Sequence, residues 1–133
     1  MISNKEHNKI IGSLGEKKAT RFLRRKGYRI LERNRHESHS EIDIISSNRK
    51  YIVFVEVKTR CVGEDSLAIF QGTAASAVNS KKQSMLISGA KRYLSRNRAK
   101  VKDRQPRFDV IEVYLTQSKK VLSINHIENA FWL

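Results

Sequence analysis

Two short segments of this sequence place charged side chains inside otherwise apolar runs. The first is Glu41–Ile45 (Glu-Ile-Asp-Ile-Ile) and the second is Val55–Lys58 (Val-Glu-Val-Lys). Because side chains alternate along a strand, Glu56 and Lys58 share one face and the neighbouring valines occupy the other. Asp43 precedes Glu56 by 13 residues, a spacing typical of two strands joined by a tight turn. The sequence therefore predicts that two acids and a lysine converge on one patch.

Such a patch is suited to the hydrolysis of a phosphodiester bond. A divalent metal held by carboxylates activates water and stabilises charge on the phosphoryl oxygens. Mg²⁺ prefers oxygen ligands and keeps several waters, so Asp43, Glu56 and the backbone carbonyl of Val57 form a sufficient ligand set for Mg²⁺ or Mn²⁺. Lys58 can then position water or offset charge. The alternative is a cross-strand ion pair between Glu56 and Lys58, with Asp43 capping a turn; three such residues together favour the metal site.

Composition points to a polyanionic partner. The 133 residues include 27 Lys and Arg against 13 Asp and Glu, for a formal net charge of +14. This excess favours nucleic acid first, an anionic membrane surface second and a merely charged surface third. The cations expected to contact nucleic acid lie in the predicted helices and after the third strand: Arg24, Arg25, Lys26, Arg60, Lys81, Lys82 and Arg92.

Other features predict a cytoplasmic protein with no membrane partner. The single cysteine, Cys61, excludes an internal disulfide and a cysteine-based zinc cluster. Residues 1–9 are polar and lack the apolar core of a signal peptide. No stretch approaches the length of a membrane span. We therefore expect a reducing, intracellular environment.

The periodicity of apolar residues predicts one α/β domain spanning residues 1–133, with a mixed sheet flanked by helices. Residues 34–40 are expected to be a polar connection, and residues 59–80 a loop, a short helix or a mobile flap. Ser80 and Gln83 match the spacing of a capping box at the start of the second helix. The predicted elements are a helix at 10–26, strands at 28–33 (an edge), 41–45 and 51–58, a helix at 80–98, and strands at 107–115 and 121–127.

The arrangement of Asp43 and Glu56-Val57-Lys58 resembles the PD-(D/E)XK nuclease superfamily. More narrowly, the chain is similar to the YraN-like bacterial family of predicted endonucleases, related to archaeal Holliday-junction resolvases. The resemblance covers six blocks in order along almost the whole chain: Gly12-x-x-Gly15-Glu16-x-x-Ala19, Leu31–Asn34, Glu41–Asp43, Phe54–Arg60, Arg107–Val110 and His126–Phe131.

This resemblance implies a restriction-endonuclease-like core and a metal-dependent endonuclease acting on structured or branched DNA. It also implies a further acid, Glu16, on the first helix, and a glutamine, Gln83, near the site, with a homodimer as a possible assembly. An equal alternative for Glu16 is that it is simply an acid early in a helix, where the helix dipole favours negative charge. For Gln83 the alternative is the capping-box role at the start of the second helix. The chain departs from the family at Ser40, where glycine is usual, and at Phe70-Gln71-Gly72, where a Phe-Gly pair is typical.

Two other functions remain open at this stage. One is a non-catalytic nucleic-acid-binding protein acting as a partner in DNA repair or recombination, since phosphate contacts alone give salt-dependent affinity. The other is a basic ribosome-associated protein that binds RNA, which leaves the carboxylates unexplained. The histidines, His36, His39 and His126, are expected to be surface or structural residues, and Asp109 is expected to pair with a neighbouring arginine such as Arg107.

Overall fold

The computed structural model describes residues 3–37, 39–62 and 78–132. Within these ranges the chain forms a five-stranded sheet with helices packed on both faces. The elements are α1 (Asn4–Arg25), β1 (Arg29–Glu37), β2 (Ser40–Ser47), β3 (Tyr51–Cys61), α2 (Ser80–Arg96), α3 (Arg98–Val101), β4 (Gln105–Leu115) and β5 (Val121–Phe131).

The sheet is mixed, and its strands lie in sequence order from β1 to β5. The pair β3–β4 is parallel, whereas β1–β2, β2–β3 and β4–β5 are antiparallel. Parallel neighbours need a crossover connection, and α2 and α3 lie in the segment between β3 and β4. The predicted α/β class is therefore confirmed, and the architecture is consistent with a restriction-endonuclease-like core.

Each face of the sheet carries its own apolar cluster. On one face, Leu23 and other residues of α1 pack against Val53 and Val55 of β3. On the other face, Tyr93 and other residues of α2 pack against Phe54 of β3 and Phe108 of β4. Strand alternation therefore directs the β3 valines towards α1. Glu56 and Lys58 follow Phe54 at every second position and so share its face, the one covered by α2. The predicted separation of these charged residues from the valines is confirmed.

The predicted polar connection at residues 34–40 is wrong, because β1 continues through Glu37 and pairs with β2 as far as Glu37 and Ser40. β1 is the edge strand, as expected. Because the outer side of an edge strand faces solvent, it tolerates charged residues. The sequence of β1 therefore lacks the continuous apolar pattern by which a strand is recognised. Asn34 also interrupts the alternation, with φ of 51°, a left-handed conformation that asparagine tolerates better than most residues.

The capping box predicted for α2 is also wrong. Asn79 is the N-cap, and its side chain accepts a hydrogen bond of 2.9 Å from the N–H of Lys82. The side chain of Gln83 instead donates to the carbonyl of Val78 at 2.8 Å, so it closes the turn before the helix. α2 ends at Arg96 rather than at the predicted residue 98.

Other boundaries also extend beyond the sequence prediction, including both ends of β2 and the start of β4 at Gln105. α1 begins at Asn4, because the Ser3 side chain caps it by accepting from the N–H of Glu6 at 3.1 Å. β3 continues to Cys61 and β5 to Phe131. Of the predicted loop or flap at 59–80, the first three residues are therefore strand, and positions 63–77 lie outside the described residues.

Candidate active site

Asp43 lies where β2 separates from β3. The ladder between these strands runs from the pair Ile44–Val55 to the pair Ser47–Ile52 and stops there. Beyond Ile44 the N–H of Val57 would lose its partner, and a buried backbone N–H needs one. The Asp43 carboxylate supplies it, accepting from the Val57 N–H at 2.8 Å. One hydrogen bond therefore holds the first acid against the strand that carries the second.

The same geometry directs the Val57 carbonyl. Within a strand, the N–H and C=O of one residue point to the same neighbouring strand. Since the Val57 N–H faces Asp43, the Val57 carbonyl faces the same opening between β2 and β3. The predicted third oxygen ligand therefore lies on the side of the strand where the carboxylates are.

Glu56 is buried and bordered by two cations. Its side chain is 5% exposed, and Oε1 lies 3.6 Å from the Nζ of Lys58 and 3.6 Å from the Nζ of Lys82. Its other oxygen, Oε2, is buried and has no hydrogen-bond partner among the described residues. A buried acceptor without a partner is unfavourable. A cation bound at this oxygen would satisfy it, so the residues present fit a divalent metal.

Glu16 reaches the site because α1 packs unusually close to β3. A Cβ added at Gly15 would lie 1.8 Å from the Oγ1 of Thr59, so only glycine permits this approach. The next residue on the helix, Glu16, then lies against Asp43, and their carboxyl groups are hydrogen-bonded. The helix acid implied by the family resemblance is thus placed beside the strand acids.

Crowding of three acids changes their protonation. Burial raises the pKa of Asp43 to about 7; the Val57 N–H opposes this shift, and the nearby Glu16 carboxyl adds to it. Burial also raises the pKa of Glu16, and the hydrogen bond with Asp43 partly offsets it. The pKa of Glu56 is raised by burial and then by Asp43, while Lys82 and Lys58 oppose the rise. A divalent cation bound beside these acids would lower the raised pKa of all three, since a nearby opposite charge favours the ionised form.

Asn34 is a neighbour of the acids that sequence reasoning missed. With the amide oriented so that it donates, its nitrogen lies 3.1 Å from Oε1 of Glu16 and 3.3 Å from Oε1 of Glu41. It therefore ties the α1 acid to β2 across the edge of the sheet. The available signal was the block Leu31–Asn34, which the family resemblance marked without assigning a role.

Glu16, Asp43, Glu56 and Lys58 line one open cavity of about 570 Å³. Among the described residues, no three His, Cys, Asp or Glu side chains are grouped so as to enclose a metal by themselves. Mg²⁺ sites in proteins commonly use one or two carboxylates and complete the coordination shell with water and substrate. The lining residues are His7, Asn8, Ile11, Gly12, Glu16, Asp43, Glu56, Val57, Lys58, Thr59, Arg60 and Cys61.

Of the predicted nucleic-acid-binding cations and Gln83, Arg60 alone lines this cavity. Lys82 contacts Glu56 directly, which the sequence did not indicate. Gln83 is not among the lining residues, because its amide is bonded to Val78. Lys26 makes contacts within the fold, at 2.9 Å from Nδ1 of His126 and 3.9 Å from Glu128. The remaining predicted cations are exposed: Arg24, Arg25, Arg60, Lys81 and Arg92.

A second polar cluster lies in the core and is structural. Arg107 donates to both oxygens of Asp109, from Nε at 2.9 Å and Nη2 at 2.8 Å, and to the Tyr28 hydroxyl at 2.6 Å. Asp109 also lies 2.7 Å from Nε2 of His126 and accepts from the N–H of Asn129. The predicted pairing of Asp109 with Arg107 is confirmed, and His126 is a structural histidine. This cluster joins β4, β5 and the end of α1.

Fold and site together define an α/β protein with a restriction-endonuclease-like architecture and a carboxylate-lined cavity at one end of its sheet. The model of the uncharacterised protein family UPF0102 matches residues 15–113. A UPF0102 protein of Alkaliphilus oremlandii is 48% identical over 124 residues, covering 93% of this chain and 99% of its own. One from Caldanaerobacter subterraneus is 43% identical over 128 residues, covering 96% and 98%. The chain therefore belongs to the UPF0102 family.

Proposed function

We propose that this protein is a metal-dependent endonuclease of the PD-(D/E)XK superfamily that hydrolyses phosphodiester bonds in DNA. The observation that carries the proposal is the gathering of Glu16, Asp43, Glu56 and Lys58 around one cavity, with a buried Glu56 oxygen left without a partner. A structural ion pair between Glu56 and Lys58 would not need the two further acids.

The proposed metal is Mg²⁺ or Mn²⁺, held by Asp43, Glu56 and the Val57 carbonyl. When bound, it would supply charge neutralisation at the phosphoryl group and lower the pKa of water. The Val57 N–H keeps Asp43 oriented by occupying one of its oxygens. Glu16 is the second carboxyl beside Asp43, and Lys82 neutralises the side of Glu56 that faces α2.

Lys58 is the proposed catalytic cation. Its ammonium lies 3.6 Å from Glu56 Oε1 and borders the open cavity. From this position it can hold a water by hydrogen bonding or offset charge on a phosphoryl oxygen as that charge develops. The partly exposed side chain leaves room for a phosphate in the cavity.

DNA is the proposed substrate class because the site is set in a strongly basic chain. A net charge of +14 favours a phosphate backbone. Structured or branched DNA is proposed on the resemblance to resolvases, and no base-reading element such as a zinc finger is evident. Recognition would then rest on backbone and shape.

The decisive experiment is a cleavage assay on four-way junctions, flaps and linear duplexes with Mg²⁺ or Mn²⁺. We expect Glu56→Gln and Lys58→Met each to lower the rate by at least about 100-fold, the scale seen when one transition-state contact is removed. Glu128→Gln, at an exposed acid remote from the cavity, is the matched control and should cut normally. Undiminished cleavage by the Glu56 and Lys58 variants would refute the assigned mechanism.

A second candidate function is non-catalytic DNA binding as a partner in repair or recombination. The exposed cations on both helices support it independently of the acids. Titration with Mg²⁺ and Mn²⁺ separates the two functions, because a bound metal stabilises the folded state by mass action. Absence of any shift in melting temperature or DNA affinity would favour the binding protein.

We also propose a homodimer formed through the outer edge of β5. An edge strand presents unpaired backbone groups that can pair with another chain unless charges protect it. β1, the other edge strand, carries three arginines and two glutamates, whereas Val121–Phe131 contains one acid, Glu128, and no lysine or arginine. Val121 and Trp132, at the two ends of β5, are exposed hydrophobic residues, 40% and 71%.

A further inference from the structure

A second cavity, of about 360 Å³, lies apart from the carboxylates and is lined by cations. We call it the cationic cavity. Every charged side chain in its lining is positive, and Ile30, Leu31 and Ala99 form the apolar part. Its complete lining is Arg29, Ile30, Leu31, Ser47, Ala99, Lys100, Lys102 and Arg104.

The cationic cavity lies at the opposite end of β2 from the candidate active site. Ser47 is the last residue of β2 and follows Asp43 by four positions. At about 3.3 Å per residue this is about 13 Å along the strand. Arg29, the first residue of β1, pairs with Ser47, and the short helix α3 closes the other side. The two cavities share no lining residue.

One cation of this cavity, Arg104, is held in place by hydrogen bonds to backbone carbonyls. Arg104 donates from Nε to the carbonyl of Asn48 at 2.7 Å, and from Nη1 to the carbonyls of Lys100 and Val101 at 3.3 and 3.4 Å. Among the described residues, Lys100 is the one cation of this lining whose ammonium lies within 4 Å of an acid, at 3.4 Å from Oε2 of Glu32. The guanidinium is thus fixed between the β2–β3 turn and α3, which orients it without neutralising it.

Lys102 occupies a backbone conformation that a lysine adopts at a cost. Its φ is 53° with ψ of −127°, a left-handed region that favours glycine. Strained residues persist where the surroundings impose them, and they cluster at functional sites. The residue in this strained conformation is a lysine rather than the conformationally preferred glycine, and it lines the cationic cavity.

We propose that the cationic cavity binds the phosphate backbone of the DNA whose scissile phosphate enters the carboxylate cavity. This inference rests on the proposed function for the identity of its ligand. An arginine held in place beside two lysines suits phosphate, since guanidinium matches phosphate oxygens geometrically. Ser47 and Asp43, which line the two cavities, lie about 13 Å apart along β2, a span of about four nucleotides of one strand.

A membrane surface is a poorer occupant. Binding to a bilayer uses apolar side chains inserted beside the cations. The exposed large hydrophobic residues of the described chain are Ile10, Val121 and Trp132, and none of them lines the cationic cavity. The cavity is also recessed, which suits a protruding phosphate better than a flat lipid surface.

The test is DNA binding without cleavage. Wild type and Lys100→Gln/Lys102→Gln would be titrated with a labelled 20-base-pair duplex (about two helical turns) in EDTA, across a range of salt concentrations. Each lost phosphate contact lowers the salt slope by about 1, so we expect a slope lower by about 2 and affinity lower by about 10-fold. The matched control, Lys17→Gln/Arg21→Gln, removes two exposed cations of α1 that line neither cavity, and its affinity and salt slope should fall less than those of the lysine pair.

A third variant separates binding from folding. Lys102→Gly removes the charge and relieves the backbone strain, so we expect its melting temperature to be undiminished while its affinity falls. Equal losses in the Lys100→Gln/Lys102→Gln and Lys17→Gln/Arg21→Gln variants would overturn the proposal. So would tight binding of inorganic phosphate or pyrophosphate that depends on Lys100 and Lys102 while DNA affinity does not. Cleavage is measured separately, so a protein that binds in this way without cutting contradicts the proposed function alone.

Discussion

At the scale of single residues, the environment of Asp43 disfavours the ionised form of its carboxyl group. Burial and the Glu16 carboxyl favour the neutral form, whereas the Val57 N–H favours the ionised carboxylate. Because burial and Glu16 together outweigh this hydrogen bond, the pKa of Asp43 is raised to about 7. The folded state therefore retains a proton that the unfolded chain releases near its ordinary pKa of about 3.9. In metal-free protein this difference makes the site a source of instability above that pH.

Asp43→Asn tests this conclusion. Because the folded-state pKa is raised, the free energy of unfolding of wild type should fall as pH rises from about 4 to about 7, and then level off. The amide can still accept from the Val57 N–H, so we expect the variant to be more stable than wild type by about 1 to 3 kcal/mol at pH 8. Urea denaturation at pH 4, 6 and 8 without metal measures this.

The same variant should respond differently to metal. Mg²⁺ or Mn²⁺ is expected to raise the melting temperature of wild type at pH 8, since it binds the folded state, and to leave Asp43→Asn unchanged. A wild-type stability that rises with pH across this interval would contradict the argument.

At the scale of elements, the contact between α1 and β3 decides whether the helix acid reaches the strand acids. Gly15→Ala would force a Cβ into Thr59, so we expect destabilisation of about 1 to 3 kcal/mol and loss of DNA cleavage through displacement of Glu16. Gly12→Ala, one turn earlier, meets nothing within 4 Å and should stabilise by up to about 1 kcal/mol through helix propensity. Thermal unfolding of both variants measures the contrast, and equal behaviour would refute the close-contact argument.

The Arg107–Asp109 cluster holds β4 and β5 together through its hydrogen bonds to His126 and Asn129. Burial alone would raise the pKa of Asp109, but hydrogen bonds from His126, Arg107 and the Asn129 N–H lower it overall. Asp109→Asn leaves a buried guanidinium without its carboxylate, so we expect a loss of about 3 to 5 kcal/mol. Asp103→Asn, at an exposed acid, is the control and should stay within about 0.5 kcal/mol. Chemical denaturation distinguishes them, and a small Asp109 effect would contradict the structural role.

At the scale of the whole molecule, charge is distributed unevenly. Exposed cations lie on α1 and α2, and further cations line the cationic cavity, while β5 has neither lysine nor arginine. The carboxylate cavity and the cationic cavity lie towards opposite ends of β2 and share no lining residue; under the proposed function, one polyanion would contact both. No helix among the described residues is long and apolar enough to span a membrane.

The proposed dimer is testable at this scale. Val121→Lys/Trp132→Lys places like charges at both ends of the β5 edge, at residues that are already exposed. We expect wild type to sediment as a dimer and the variant as a monomer with unchanged thermal stability, measured by analytical ultracentrifugation. A wild type that remains monomeric at tens of micromolar would refute this assembly.

The sequence by itself determined the strand acids, the lysine and the fold class. Asp43, Glu56 and Lys58 were predictable because strand alternation is local, and because charges inside apolar runs are conspicuous. The paired strands β2 and β3 followed from the turn between them. The continuation of β1 to Glu37 was not predictable in this way, because an edge strand needs no continuous apolar face.

Only the tertiary structure decided which distant groups surround these residues. Lys82 and Asn34 reach the acids because α2 crosses the sheet and β1 pairs along its full length. Glu16 was implied by resemblance, but its contact with Asp43 depends on the backbone approach that Gly15 permits. The cationic cavity likewise joins β1, β2 and α3. Such proximities depend on how elements pack, and no periodicity within a single element encodes them.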